Sequence, residues 1–217
     1  MKTKKLVTTA MLLAFALILS LIQVISLPFG GSVTAVSMLP VVLIGYMYGV
    51  KWGLFSALIY SVLQLFAGFG TVSAFFLPGD SQMVFANAVL ICFIDYILAY
   101  TALGLGGVFR GKMTSRTKEL CMGILVSLLL RYVMHIISGA LFFGAWAEWF
   151  FADTTGLSQI GFLSGFCNWV MQNMKGIGLE IFYSVVYNGA YMIPEIIITV
   201  IVAPVVYKVL EKSNISN

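Results

Sequence analysis

The feature that most limits what this chain can fold into is the recurrence of apolar runs of about 20 residues, the length a helix needs to cross the hydrocarbon core of a bilayer. Such runs are read over 6–26, 33–49, 52–69, 83–109, 120–143 and 179–209 of the 217 residues. Short segments rich in Gly, Pro, Lys and Arg separate most of them. With 61% hydrophobic and 9% charged residues and a mean hydropathy of +1.03, the composition is that of a membrane protein and excludes a water-soluble domain. The expectation is an all-α, polytopic protein of the cell membrane, with six transmembrane helices in a single domain over 1–217. The first run follows a basic start (Lys2, Lys4, Lys5). It is longer than the core of a signal peptide and no small-residue cleavage site follows it, so it reads as a retained span.

Helix breakers punctuate the runs. Pro28, Gly30 and Gly31 end the first, Pro40 is expected to kink the second, and Lys51 marks a tight turn. Thr71 to Gln82, with Pro78, Gly79 and Asp80, reads as an exposed loop or a short re-entrant piece. The segment 146–175 reads as a long outer loop with an interfacial helix, its Trp146, Trp149 and Trp169 suited to the headgroup level. All of the Lys and Arg except Arg131 and Lys175 fall at the two ends, at the 51 turn or in the 110–118 loop. The positive-inside rule then places both termini in the cytoplasm.

Ionisable residues inside apolar runs are expensive in a bilayer and usually face a cavity or a partner. Arg131 and His135, the only histidine, are four residues apart in the fifth run and share a helix face. Ser138, Gly139 and Phe142 continue that face, two small residues and an aromatic that would leave room for a ring-shaped ligand. Asp95 lies about 18 Å below the outer start of the fourth run. With Arg131 it falls near the midplane, and His135, Tyr183 and Asn188 fall in the outer half. Polar groups of three spans at compatible depths can line one pocket opening outward. Asp95, Arg131 and Glu195 together carry one negative charge if all are ionised, and aromatic residues surround them in sequence. That combination favours a heteroaromatic cation. The alternative is structural: Arg131 in an ion pair with Glu195, His135 a hydrogen-bonded core residue, and the tyrosines ordinary packing. Cys92, Cys121 and Cys167 lack metal-site or disulfide spacing. No catalytic motif, cofactor site or ATP-binding phosphate loop is present in the sequence, so active transport would need an outside source of energy. An intramembrane enzyme or a membrane assembly factor is the reading from a different class.

Several short motifs carry a resemblance that extends over most of the membrane part. Ala10-Met11-Leu12-Leu13-Ala14 resembles the first-helix alanine motif of the substrate-binding S components of energy-coupling factor (ECF) vitamin transporters. Asp95-Tyr96 resembles the Glu-Tyr pair of their thiamine-specific branch, followed by a glycine-rich ending, here Gly104 to Arg110. Arg131-Tyr132-Val133-Met134-His135 resembles its Lys-Tyr-x-x-His, and Tyr183-Ser184-Val185-Val186-Tyr187-Asn188-Gly189 its Tyr-Ser-x-x-x-Asn-Gly. The resemblance implies an S-component-like bundle that is not an enzyme and has no cofactor. It would capture thiamine on the outer side and deliver it to the cytoplasm with a membrane coupling subunit and two ATPases. By the same resemblance Asp95, Tyr96, Arg131, His135, Phe143, Tyr183 and Asn188 contact the ligand, and Ala10 and Ala14 dock on the coupling subunit. The chain departs from the family pattern at Gly31 and Ala35, which stand near a Trp and a second acid, at Tyr60, which replaces a Trp, and at Glu195, which is extra. A related heteroaromatic vitamin or precursor is therefore an alternative ligand.

Overall fold

The computed structural model describes residues 2–27, 31–152 and 156–212; Pro28 and Gly30, read above as helix breakers, lie outside them. The chain is predominantly helical, and among the described residues five stretches are long and apolar enough to cross a membrane. In order it forms α1 (Lys2–Leu21), a hairpin of β1 (Gln23–Ser26) and β2 (Ser32–Thr34), α2 (Leu39–Tyr48), α3 (Val50–Ala67) and α4 (Phe69–Ala74). Then come α5 (Phe85–Ile91), which runs on through a π-helical turn (Cys92–Leu98), α6 (Ala99–Thr101) and a 3-10 turn (Ala102–Gly107). The chain continues with α7 (Arg116–Phe143), α8 (Ala147–Phe151), α9 (Ser164–Asn173) and α10 (Ile177–Lys212).

Two features differ from the expectation. The second run forms only a short apolar helix. Its first residues pair as a strand, Gln23 opposite Thr34 and Ser26 opposite Ser32. Its helix has only 10 residues, about 15 Å long, and nine of them are buried. A helix apolar all round is sheathed by other helices, which is why it reads in sequence like a membrane span. Pro40 does not kink that helix. It occupies the first turn, where the missing N–H is no loss. The segment after Phe143 carries two short helices: α8 and α9 pack Phe151, Cys167 and Val170 against Leu179 and Tyr183 of α10 as a small separate core. Trp146, Trp149 and Trp169 remain exposed there. In the segment after α3, α4 adds a short helix, and Phe75 behind it is buried against Ala88 and Ile91.

Apolar side chains in a bilayer gain little by leaving lipid, so tight packing and polar contacts must hold the helices together. Both devices are visible. Glycines let α2, α3, the Ala102–Gly107 turn and α7 meet backbone to backbone. A methyl group added at Gly53 would strike the carbonyl oxygen of Gly104, one at Gly107 that of Gly45, and one at Gly123 that of Gly106. α10 shows the inverted polarity of a membrane helix. Ile193, Ile197, Ile201, Val205 and Val209 form an exposed stripe four residues apart, while Ser184, Asn188, Glu195 and Thr199 are buried.

Candidate ligand-binding site

A cavity of about 250 Å³ lies among the hairpin, the π-helical turn, α7 and α10. Asp95, Tyr96, Arg131, His135, Phe143, Tyr183 and Asn188 all line it. Phe142 does not: it turns to the Phe75, Ala88 and Ile91 cluster, and the neighbouring Phe143 faces the cavity, its ring 6.3 Å from that of Phe75. Helical spacing from Ser138 points to Phe142, whereas the same four-residue step from Gly139, which also lines the cavity, leads to Phe143.

α7 supplies the polar floor. The Arg131 Nε–H donates to His135 Nε2 at 3.2 Å. That bond makes Nε2 the acceptor, so Nδ1 carries the proton and donates to Asp95 Oδ1 at 2.9 Å. Ser138 Oγ donates to the same Oδ1. The result is one directed chain, Arg131 to His135 to Asp95, with Ser138 closing it. Asp95 Oδ2 takes no bond among the described residues and is left to the cavity. The Arg131 guanidinium is buried and sits over the Tyr100 ring, 4.0 Å from its centroid, a cation–π contact worth roughly 2 kcal/mol when desolvated. Arg131 makes no ion pair among the described residues. The alternative partner, Glu195, instead takes both its hydrogen bonds from Thr34.

α10 supplies the wall. Asn188 Nδ2 donates to the carbonyl oxygens of His135, at 3.2 Å, and Ser184, at 2.9 Å. Its Oδ1 accepts from the Tyr191 hydroxyl at 2.7 Å. Asn188 thus ties α10 to the turn of α7 that holds His135, and both its amide groups are spoken for. Tyr183 and Tyr187 lie side by side along α10, their ring centroids 5.9 Å apart and their planes tilted by 33°. Gly31, at a position of departure from the family pattern, lies so close to Tyr191 that a side chain there would overlap the ring.

Asp95 and Tyr96 project from the π-helical turn, which no sequence signal announced. One extra residue per turn rotates the side chains after it, and such turns recur at functional sites. Thr34, Ser37 and Tyr100 also line the cavity, and no motif or spacing marks them. Their only signal was polar or aromatic character near a membrane run, which is too common to single them out. One of the two residues between Thr34 and Ser37 adds a constraint. Val36 holds a left-handed backbone, φ 62°, unfavourable for a β-branched residue by about 1–3 kcal/mol. It turns Thr34 Oγ1 and Ser37 Oγ to within 2.7 Å of each other.

A bundle of membrane-length helices around a small aromatic and polar cavity defines a multi-pass membrane protein that binds a small molecule. The family of thiamine transporter proteins, Thia_YuaJ, matches residues 6–149. The chain is 31% identical to thiamine transporter ThiT of Bacillus subtilis over 209 residues, 91% of this chain and 87% of the relative. The fold is shared with the solved structure of ThiT from Listeria monocytogenes, at a TM-score of 0.63 and 22% identity across 97% of each chain. The chain belongs to the thiamine transporter family, as its motifs indicated; it is a multi-pass protein of the cell membrane and not an enzyme.

Proposed function

We propose that this chain is the substrate-binding subunit of a vitamin importer, that it captures thiamine from the outer side, and that it releases it inside with an energy-coupling module. The observation that carries the ligand reading is the Arg131–His135–Asp95 chain. It leaves one Asp95 oxygen facing a cavity walled by Phe143, Tyr183 and Tyr187. A carboxylate beside aromatic faces suits a flat cation such as the thiazolium ring, and family membership points to thiamine. Asp95, Tyr96, Arg131, His135, Phe143, Tyr183 and Asn188 are its proposed contacts, the last through its hold on α7. Calorimetric titration of the purified chain with thiamine tests this: saturable, tight binding is expected, and no heat of binding would refute it.

Coupling rests on α1. Ala10 and Ala14 are exposed on its outer face, beside Met11, Phe15 and Ile18, and neither lines the cavity. Small residues on an unpartnered helix face let another helix approach closely, which supports docking of a transmembrane coupling subunit bearing two ATPases. Ala14→Trp is expected to abolish ATP-driven thiamine uptake in cells while the purified variant binds thiamine like the wild type. Uptake at the wild-type rate would remove Ala14 from the coupling surface.

A further inference from the structure

Glu195 is the residue that the family pattern does not account for. Its side chain is fully buried and lines the cavity. Oε1 accepts two hydrogen bonds from one residue, the backbone N–H of Thr34 at 2.5 Å and its hydroxyl at 2.6 Å. Oε2 has no partner, the one carboxylate oxygen buried in that state among the described residues. A carboxyl oxygen buried without a hydrogen-bond partner is destabilising until something fills the position. Arg131 does not fill it, because its contacts are His135 and Tyr100.

The surroundings say what kind of donor fits. The ring-binding aromatics Tyr183 and Tyr187 precede Glu195 on the same helix by 12 and 8 residues, about 18 and 12 Å along the axis. At the Glu195 end the cavity offers the hydroxyls of Thr34 and Ser37. A ligand with its rings at the aromatic end would bring a flexible polar tail, not a ring, to Glu195. We propose that Glu195 contacts the ligand directly, its Oε2 accepting a hydrogen bond from the tail hydroxyl, and so determines specificity for a hydroxyl-ended molecule. This assignment rests on the thiamine reading above, whose hydroxyethyl group supplies that donor.

The test is calorimetric titration of the full chain with thiamine and with an analogue whose hydroxyethyl group is replaced by ethyl. Wild type is expected to prefer thiamine by about 10-fold or more, the order expected when the analogue leaves a buried oxygen unpaired. Glu195→Met removes every polar atom from the position, and it is expected to bind both compounds with nearly equal affinity. A wild type that binds both compounds equally overturns the assignment without any variant. A Glu195→Met protein that keeps the full preference overturns it as well, and leaves Glu195 only the role of holding Thr34. If wild type binds neither compound, the thiamine reading itself fails and the assignment falls with it.

Discussion

Asp95→Asn is expected to fold normally and to bind thiamine at least about 30-fold more weakly than wild type. Asn has the same shape, and its carbonyl oxygen keeps the acceptor position used by His135 Nδ1–H and Ser138. What changes is the group left to the cavity. An anionic Oδ2 becomes a neutral amide that donates, so the ligand cation loses its counter-charge at a depth where water screens little. Truncating one side of a buried, charged interaction typically costs about 2–5 kcal/mol, which spans about 30-fold to several thousand-fold in dissociation constant. Asp95→Glu restores the family's residue and keeps the charge, so its effect is expected to be much smaller and can be of either sign. Calorimetric titration of wild type and both variants decides the matter. Equal affinity of wild type and Asp95→Asn would show that charge matching at this position does not hold the ligand.

The parts of the site visible in the sequence were those governed by local rules. Arg131 and His135 are four apart on one long helix, and the structure joins them through a bond along that helix. Asp95, Tyr183 and Asn188 fell to a count of depth along straight helices, and all line the same cavity. Where local geometry departs from the ideal, the reading slipped. The face marked by Phe142 belongs to Phe143, four residues after Gly139 on the cavity side of α7. A π-helical turn under Asp95 left no trace in residue pattern. α2 looked like a span because burial within protein and burial within lipid select the same residues. The alternative that pairs Glu195 with Arg131 rests on charge alone. The hydrogen bonds of Glu195 come from Thr34, 161 residues away, on a hairpin that no alternation of polar and apolar residues reveals. Contacts across such separations depend on how the helices close around the cavity, which no local pattern encodes.

That closure depends on the glycine seam, and the second large effect is expected there. Gly123→Leu should lower the apparent melting temperature of the purified protein by about 5 °C or more. Helix propensity alone argues the other way, since Leu in a helix interior is favoured over Gly by about 0.8 kcal/mol. Sterics decide the sign. A Cβ at Gly123 would run into the carbonyl oxygen, carbonyl carbon and Cα of Gly106. Those atoms are backbone, so no rotamer change can relieve the overlap. Gly106 itself has no room to retreat, because a Cβ there would meet the carbonyl of Val42 on α2. Overpacking of a filled core is destabilising by about 1–3 kcal/mol or more, which outweighs the propensity gain. Gly165→Ala in α9 is the control. A Cβ there meets nothing, so the same propensity term is expected to leave the protein as stable as wild type or slightly more so. Measured by thermal unfolding in detergent, the two substitutions should separate in sign. A Gly123→Leu protein as stable as wild type would mean that α7 does not meet the Ala102–Gly107 turn backbone to backbone. The helices carrying Asp95 and Arg131 would then be positioned by something other than this seam.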